Sequence, residues 1–179
     1  MADITHSSAT GILAFRSRSG SPRIRTADAS TCASTATIRT GQVVQFDILT
    51  ETASHRLVRA STAAGHPNLS TNFAGIAAGS DTSDGSTFNA TTRRRMSYWA
   101  ADENTEFLFP TKVVTADTLV GTALALGFDS TLGFHYLAAN STAGDRRVWV
   151  TEVENPGDTN GRVWGRFTST AVSPISLSR

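Results

Sequence analysis

The residues that could do chemistry in this chain fall into four groups, and each lacks a part of the constellation it would need. The loop Asp81-Thr82-Ser83-Asp84-Gly85 carries carboxylates beside a glycine, as calcium loops do. Asp84 falls where the calcium pattern requires a spacer, and no bidentate glutamate follows at the closing position. A tight turn accounts for the same residues without an ion. His6, His55, His66 and His135 are isolated, with no second ligand three or four residues away. No G-x-S-x-G nucleophile elbow and no glycine-rich phosphate loop occurs.

Paired carboxylates are the remaining route to acid–base chemistry. Asp102 and Glu103 are adjacent, and Glu152 and Glu154 share a face if their segment is a strand. Glycoside hydrolysis needs two such groups across a cleft, and the short loops here leave little material to build one. Surface charge is the simpler reading. Arg93, Arg94 and Arg95 stand beside Tyr98 and Trp99, an interleaving found in single-strand binders. On a strand, Arg94 points opposite to its two neighbours, so the triplet does not form one patch. These residues predict no enzyme, no metal and no other cofactor.

Composition agrees. The formal net charge is +1 and the isoelectric point about 8.0, which gives no electrostatic argument for nucleic acid or a membrane surface. Lys112 is the only lysine, so arginine carries nearly all the positive charge, and its planar fork suits carboxylates at interfaces. Cys32 is the only cysteine, which excludes an intrachain disulfide. No apolar run approaches the roughly 18 residues of a membrane-spanning helix, and the first residues lack the basic-then-apolar order of a secretory signal.

Serine and threonine are unusually common and long helix-forming runs of Leu, Glu and Lys are absent, which favours pleated surfaces and turns. Residues 41–48 alternate, with Val44, Phe46 and Ile48 on one face and Gln45 and Asp47 on the other. Further strands are predicted over residues 55–60, 73–78, 93–100 and 106–109, with a short segment at 112–114. Gly75 inside its strand marks a bulge or a close backbone approach. Pro110 ends its strand or places it at an edge. Residues 124–128 and 134–137 form a hairpin around a turn at residues 129–131. Residues 147–153 and 162–167 form another across the turn-rich N-P-G-D-T-N-G. Residues 116–126 are the one helix candidate, and the weaker reading there. Eight to ten short strands predict an all-β fold: a small β-barrel, a β-tulip-like domain or a sandwich.

Residues 1–36 differ from this pattern. Arg16, Arg18, Arg23 and Arg25 sit among Ser, Gly and Pro22, and residues 28–36 read as a linker. An extended arm that binds a partner, a tail and an ordinary edge strand all fit this composition. The expected division is an arm and linker over residues 1–36, a β domain over 37–170 and a C-terminal tail over 171–179. Arg162, Trp164 and Arg166 share one face of the last strand. That face either contacts another chain, since Trp and Arg are enriched at interfaces, or Trp164 caps the core edge.

The order of several short motifs resembles that of the head decoration, or capsid cement, proteins of tailed bacteriophages. They are G-x-V-V at residues 41–44, F-A-G-I-A at 73–77, D-x-x-D-G at 81–85, N-T-E-F-L at 104–108, L-V-G at 119–121 and G-D-T-N-G-R at 157–162. The resemblance runs from about Thr37 to Phe167. It implies a small β domain, usually trimeric, on the outside of the capsid, clamping major capsid proteins, with no catalytic residues. Under that expectation the partners are the major capsid protein and other copies of the chain. Nucleic acid and membrane are not partners, and Arg16, Arg18, Arg23, Arg25, Arg162, Trp164 and Arg166 are the candidate contacts. The alternative is another virion β-module, a tail or fibre component that binds host surface glycan.

Overall fold

A computed structural model describes residues 12, 15–17, 23–29, 38–47, 56–59, 73–80, 94–102, 104–129, 131–139 and 146–168. The expected all-β class is found. Eleven strands are present among these residues: β1 (Phe15–Ser17), β2 (Ile24–Ala29), β3 (Val43–Asp47), β4 (Arg56–Arg59), β5 (Phe73–Ser80), β6 (Arg94–Ala100), β7 (Thr105–Pro110), β8 (Ala123–Asp129), β9 (Phe134–Ala138), β10 (Arg146–Glu154) and β11 (Arg162–Phe167). The helix candidate reduces to one 3-10 turn at Asp117–Leu119. The rest of that segment enters β8, as its glycine and β-branched residues favour.

Two sheets share the chain. The first is six-stranded, in the order β1-β7-β11-β10-β8-β9, and every neighbouring pair in it is antiparallel. The second curls through β2-β4-β3-β5-β6. Its return from β2 to β4 rests on a single parallel pair, Ala29↔Leu57, whereas β2 and β6 are paired at six positions. It is therefore a curled antiparallel sheet pinched shut at one point, and the two sheets pack as a sandwich.

Two cores follow from this arrangement. Val43, Phe73, Ile76 and Ala101 from the curled sheet meet Phe107, Phe109, Leu124, Leu137, Val148, Val150, Val163 and Phe167 from the six-stranded one. Phe167 is the hub, with ring centroids 5.2, 5.9 and 5.7 Å from Phe73, Phe107 and Phe109. The second core fills the curl: Val44 and Phe46 from β3, Ala74 and Ala77 from β5, and Met96, Tyr98 and Ala100 from β6, with Ile38. Strand β3 thus has apolar neighbours on both faces. Gln45, expected on a polar outer face, is fully buried, and neither its amide oxygen nor its nitrogen has a hydrogen-bond partner.

The segment expected as arm and linker contributes to both sheets. β1 pairs with β7 through Phe15↔Phe107, Arg16↔Glu106 and Ser17↔Thr105, and β2 runs along β6. Asp28 and Ala29, read as the start of a linker, belong to β2. The sequence signal was weak because β1 is three residues long and β2 carries Arg, Thr and Asp instead of an apolar stripe. The Phe15 ring packs 4.5 Å from that of Trp99 on β6, so β1 touches the curled sheet as well. The tail over residues 171–179 lies outside the described residues, as do the Asp81–Gly85 loop and His6, His55 and His66.

The β8–β9 hairpin appears as expected, and its turn is closed by Asp129. One carboxylate oxygen accepts the N–H groups of Thr131 and Leu132 at 3.0 Å each, while the other takes Lys112 Nζ at 3.0 Å. The Leu132 N–H and then Lys112 hold the Asp129 carboxyl below its ordinary value, and Asp129 in turn raises Lys112. A lowered acid stabilises the fold above the unfolded pKa of about 4 and loses that contribution as pH falls through the folded value. A raised lysine stabilises below about pH 10 and loses its contribution as pH rises through the folded value. Asp129→Asn should therefore lower Tm by about 1–3 °C at pH 7, and the difference should shrink as pH falls below about 4, as read by thermal circular dichroism across that range.

Candidate interaction face

The outer face of the six-stranded sheet gathers the charged and aromatic residues. On β11, Val163, Gly165 and Phe167 are buried, and Arg162, Trp164 and Arg166 point the other way. Strand β10 begins with the same alternation: Val148 and Val150 are buried and Trp149 is 41% exposed. A register shift between Val150 and Glu152 leaves Thr151 as an extra residue. Such a bulge reverses which parity faces out. Glu152 and Glu154 therefore join Trp149 on the outer face, opposite Trp164 and Arg162, and Val153 turns inward. Glu152 and Glu154 do share a face, as read from the sequence.

Trp149 pairs with Arg166, and Trp164 lies two residues along β11. The two tryptophans are thus diagonal neighbours on one face, with backbones separated by roughly 7–8 Å. Trp164 is held in place. Its Nε1–H donates to Glu154 Oε1 at 3.1 Å, and the Arg16 guanidinium lies 4.3 Å from the ring centroid. Arg16 also donates from Nε to Glu106 Oε2 at 2.7 Å and pairs through Nη2 with Glu152 Oε2 at 2.6 Å. Glu106 is 1% exposed. Burial alone would lower the Arg16 guanidinium; the two carboxylates outweigh that and raise it.

The seven sequence-expected contact residues divide. Arg16 and Trp164 meet directly, with Arg162 and Arg166 beside them on β11. Arg23 is exposed on the curled sheet, its carbonyl accepting the Ala100 N–H at 2.9 Å. Arg25 follows on β2 and hydrogen-bonds the buried Tyr98 hydroxyl. Burial pushes Tyr98 above its ordinary value, against the opposing charge of Arg25. Arg18 lies outside the described residues. Arg16 is engaged with its own sheet, which differs from an arginine held out for a partner. Sequence reasoning missed Glu106 and the position of Trp149. An alternating E-F-L-F signals Glu106 facing outward but not its burial under Arg16, and plain alternation would set Glu152 and Glu154 on the face opposite Trp149, which the bulge reverses.

Among the described residues, no group of three or more His, Cys, Asp or Glu side chains could hold a metal ion. No described helix is long and apolar enough to cross a membrane. The geometry is that of an all-β domain presenting a pre-ordered face of tryptophan, arginine and glutamate. Comparison with protein-family models, curated proteins and solved structures finds no match.

Proposed function

We propose that this protein is a structural, non-catalytic virion component that binds the outside of a phage capsid and stabilises contacts between major capsid proteins. The single observation behind it is the outer sheet face, where Trp149, Trp164, Arg162 and Arg166 stand together on adjacent antiparallel strands. Trp and Arg are the residues most enriched at binding hot spots. Side chains already held by neighbours lose less freedom on docking. The ordered motif set supports the capsid as the place of docking, with the major capsid protein and further copies, as a homotrimer, as partners. Nucleic acid has no part in this reading. A module that binds only the assembled shell stabilises it by linkage, and repeated copies add avidity.

The glycan-binding alternative draws on the same two tryptophans. Arg16 lies over the ring of Trp164, which leaves Trp149 as the more open stacking surface. This favours docking of a protein over stacking of a sugar.

Co-sedimentation of the full chain with undecorated head shells tests the proposal. Trp149→Ala combined with Arg166→Glu should weaken shell binding about 30-fold or more, with Tm nearly unchanged. Full occupancy by that variant would remove this face from the interface. Binding to purified glycan with no shell binding would favour the alternative. Deletion of residues 1–30 is a poorer test, because it also removes β1 and β2 from the fold.

A further inference from the structure

The turn between β10 and β11 carries the only Asn-Gly pair in the chain, Asn160-Gly161, and the capsid reading does not use it. The fully buried Thr115 ties that turn down. Its hydroxyl donates to the Asn155 carbonyl at 2.7 Å and accepts the Asp158 N–H at 3.1 Å, and its carbonyl accepts the Gly157 N–H at 2.6 Å. Gly161 is packed against the same residue: a Cβ there would run into Thr115 Cγ2 and Oγ1. The Gly161 carbonyl accepts the Thr111 N–H at 3.0 Å, just before β11 begins. Asn160, by contrast, is exposed. Its main-chain N–H donates to Asp158 Oδ1 at 2.9 Å, and its side chain makes no hydrogen bond among the described residues.

We propose that Asn160 is a self-modifying site, at which the Gly161 main-chain nitrogen displaces the Asn160 side-chain amide and the chain becomes partly isoaspartyl at this turn. The bond from the Gly161 nitrogen to Asn160 Cγ forms, the Cγ–Nδ2 bond breaks, and Nδ2 leaves as ammonia with the Gly161 proton. Solvent water then opens the succinimide. Opening at Cγ leaves an aspartate with the main chain unchanged. Opening at the α-carbonyl leaves an isoaspartate, whose main chain runs through Cβ and is longer by a methylene. Both reacting groups belong to one short piece of chain, so the attack is unimolecular, and glycine has no side chain to crowd it. Asn104, Asn155 and Asn160 are the asparagines among the described residues, all exposed, and the residue after each separates them. Pro156 after Asn155 has no N–H to give up. Thr105 after Asn104 is buried and β-branched, and its N–H donates to the Asp102 carbonyl at 3.4 Å. Asn104 otherwise matches Asn160, with its own N–H on Asp102 Oδ1 at 2.9 Å. The aspartate product keeps the turn, because the side chain it replaces is exposed. The isoaspartate product forces extra main chain against Gly161, which has no room beside Thr115, and so loosens the start of β11.

The test incubates the full folded chain at neutral and at mildly alkaline pH, then digests it with trypsin at mildly acidic pH. Cleavage after Arg147 and Arg162 puts Asn155 and Asn160 on one peptide, and cleavage after Arg95 and Lys112 puts Asn104 on another. Fragment masses should show a carboxyl in place of the carboxamide at Asn160 and at neither of the other two. Conversion should be faster at the higher pH, because the attacking nitrogen must shed its proton. Electron-transfer fragmentation should show isoaspartate beside aspartate. The product should be lost in Asn160→Ser, a change at an exposed side chain. The Thr111 amide should exchange faster in the isolated isoaspartate form than in Asn160→Asp. The synthetic peptide of residues 148–162 sets the time scale. An Asn160 that stays intact in the folded chain while that peptide converts would overturn the proposal, as would aspartate as the sole product. Equal Thr111 exchange in the two forms would overturn the loosening of β11.

Discussion

Gly75→Ala should abolish folding or cost about 4 kcal/mol or more, out of the 5–15 kcal/mol that holds a typical domain. Gly75 sits on β5 between Val44 of β3 and Ala100 of β6. A Cβ there would lie 1.8 Å from the Trp99 carbonyl oxygen and 2.9 Å from the Ala101 nitrogen, both main-chain atoms that cannot rotate away. Its φ of +151° is also a conformation that side chains with a Cβ rarely adopt. Gly121→Ala is the control: φ is +80°, yet nothing lies within 4 Å of the added carbon. It should cost only about 1 kcal/mol. Soluble yield and thermal unfolding of the two variants separate the clash from the backbone term. A Gly75→Ala protein melting within about 3 °C of the wild type, about 1 kcal/mol for a domain of this size, would mean that β5 and β6 are not this close.

The second large effect belongs to Arg16. Arg16→Ala should destabilise by about 2–4 kcal/mol, because it leaves the buried Glu106 carboxylate without its guanidinium. The lower end allows for the Arg16 side chain being 38% exposed. Glu152→Gln breaks only the outer arm of the same bridge, where Glu152 is 53% exposed, and should cost under about 1 kcal/mol. Arg16→Met with Glu106→Leu should recover most of the loss, since an apolar pair needs no charge compensation. Chemical denaturation of the wild type, Arg16→Met, Glu106→Leu and the double variant gives the coupling directly. An Arg16→Ala loss no larger than that of Glu152→Gln would show that Glu106 does not depend on Arg16. Because Arg16 also lies over Trp164, the same variant should loosen the proposed docking face as well as β1.

These two residues also show how much of the molecule was legible in advance. Gly75 was readable because a glycine inside an apolar run has few uses other than a bulge or a close approach. The late hairpins were readable because turn residues bracket clean alternation, as at Gly127 and Gly133. β1 and β2 were harder, because their stabilisation comes from pairing and from single side chains, Phe15 on Trp99 and Arg16 on Glu106, rather than from a stripe. Such contacts join positions 90 residues apart in the case of Arg16 and Glu106. Gln45 was misplaced because alternation assumes one wet face, and β3 is covered on both. The outer face was half legible. Arg162, Trp164 and Arg166 followed from simple alternation, whereas the Thr151 bulge moved Glu152 and Glu154 beside Trp149.

Docking of the Trp149–Trp164 face on the outside of a capsid is the core of the proposed function. Electron cryo-microscopy of the native heads tests it most directly. The predicted result is density for this domain on the outer shell, with the β10–β11 face against the major capsid protein or a neighbouring copy. Heads without the domain, or a domain bound with that face open to solvent, would contradict the claim.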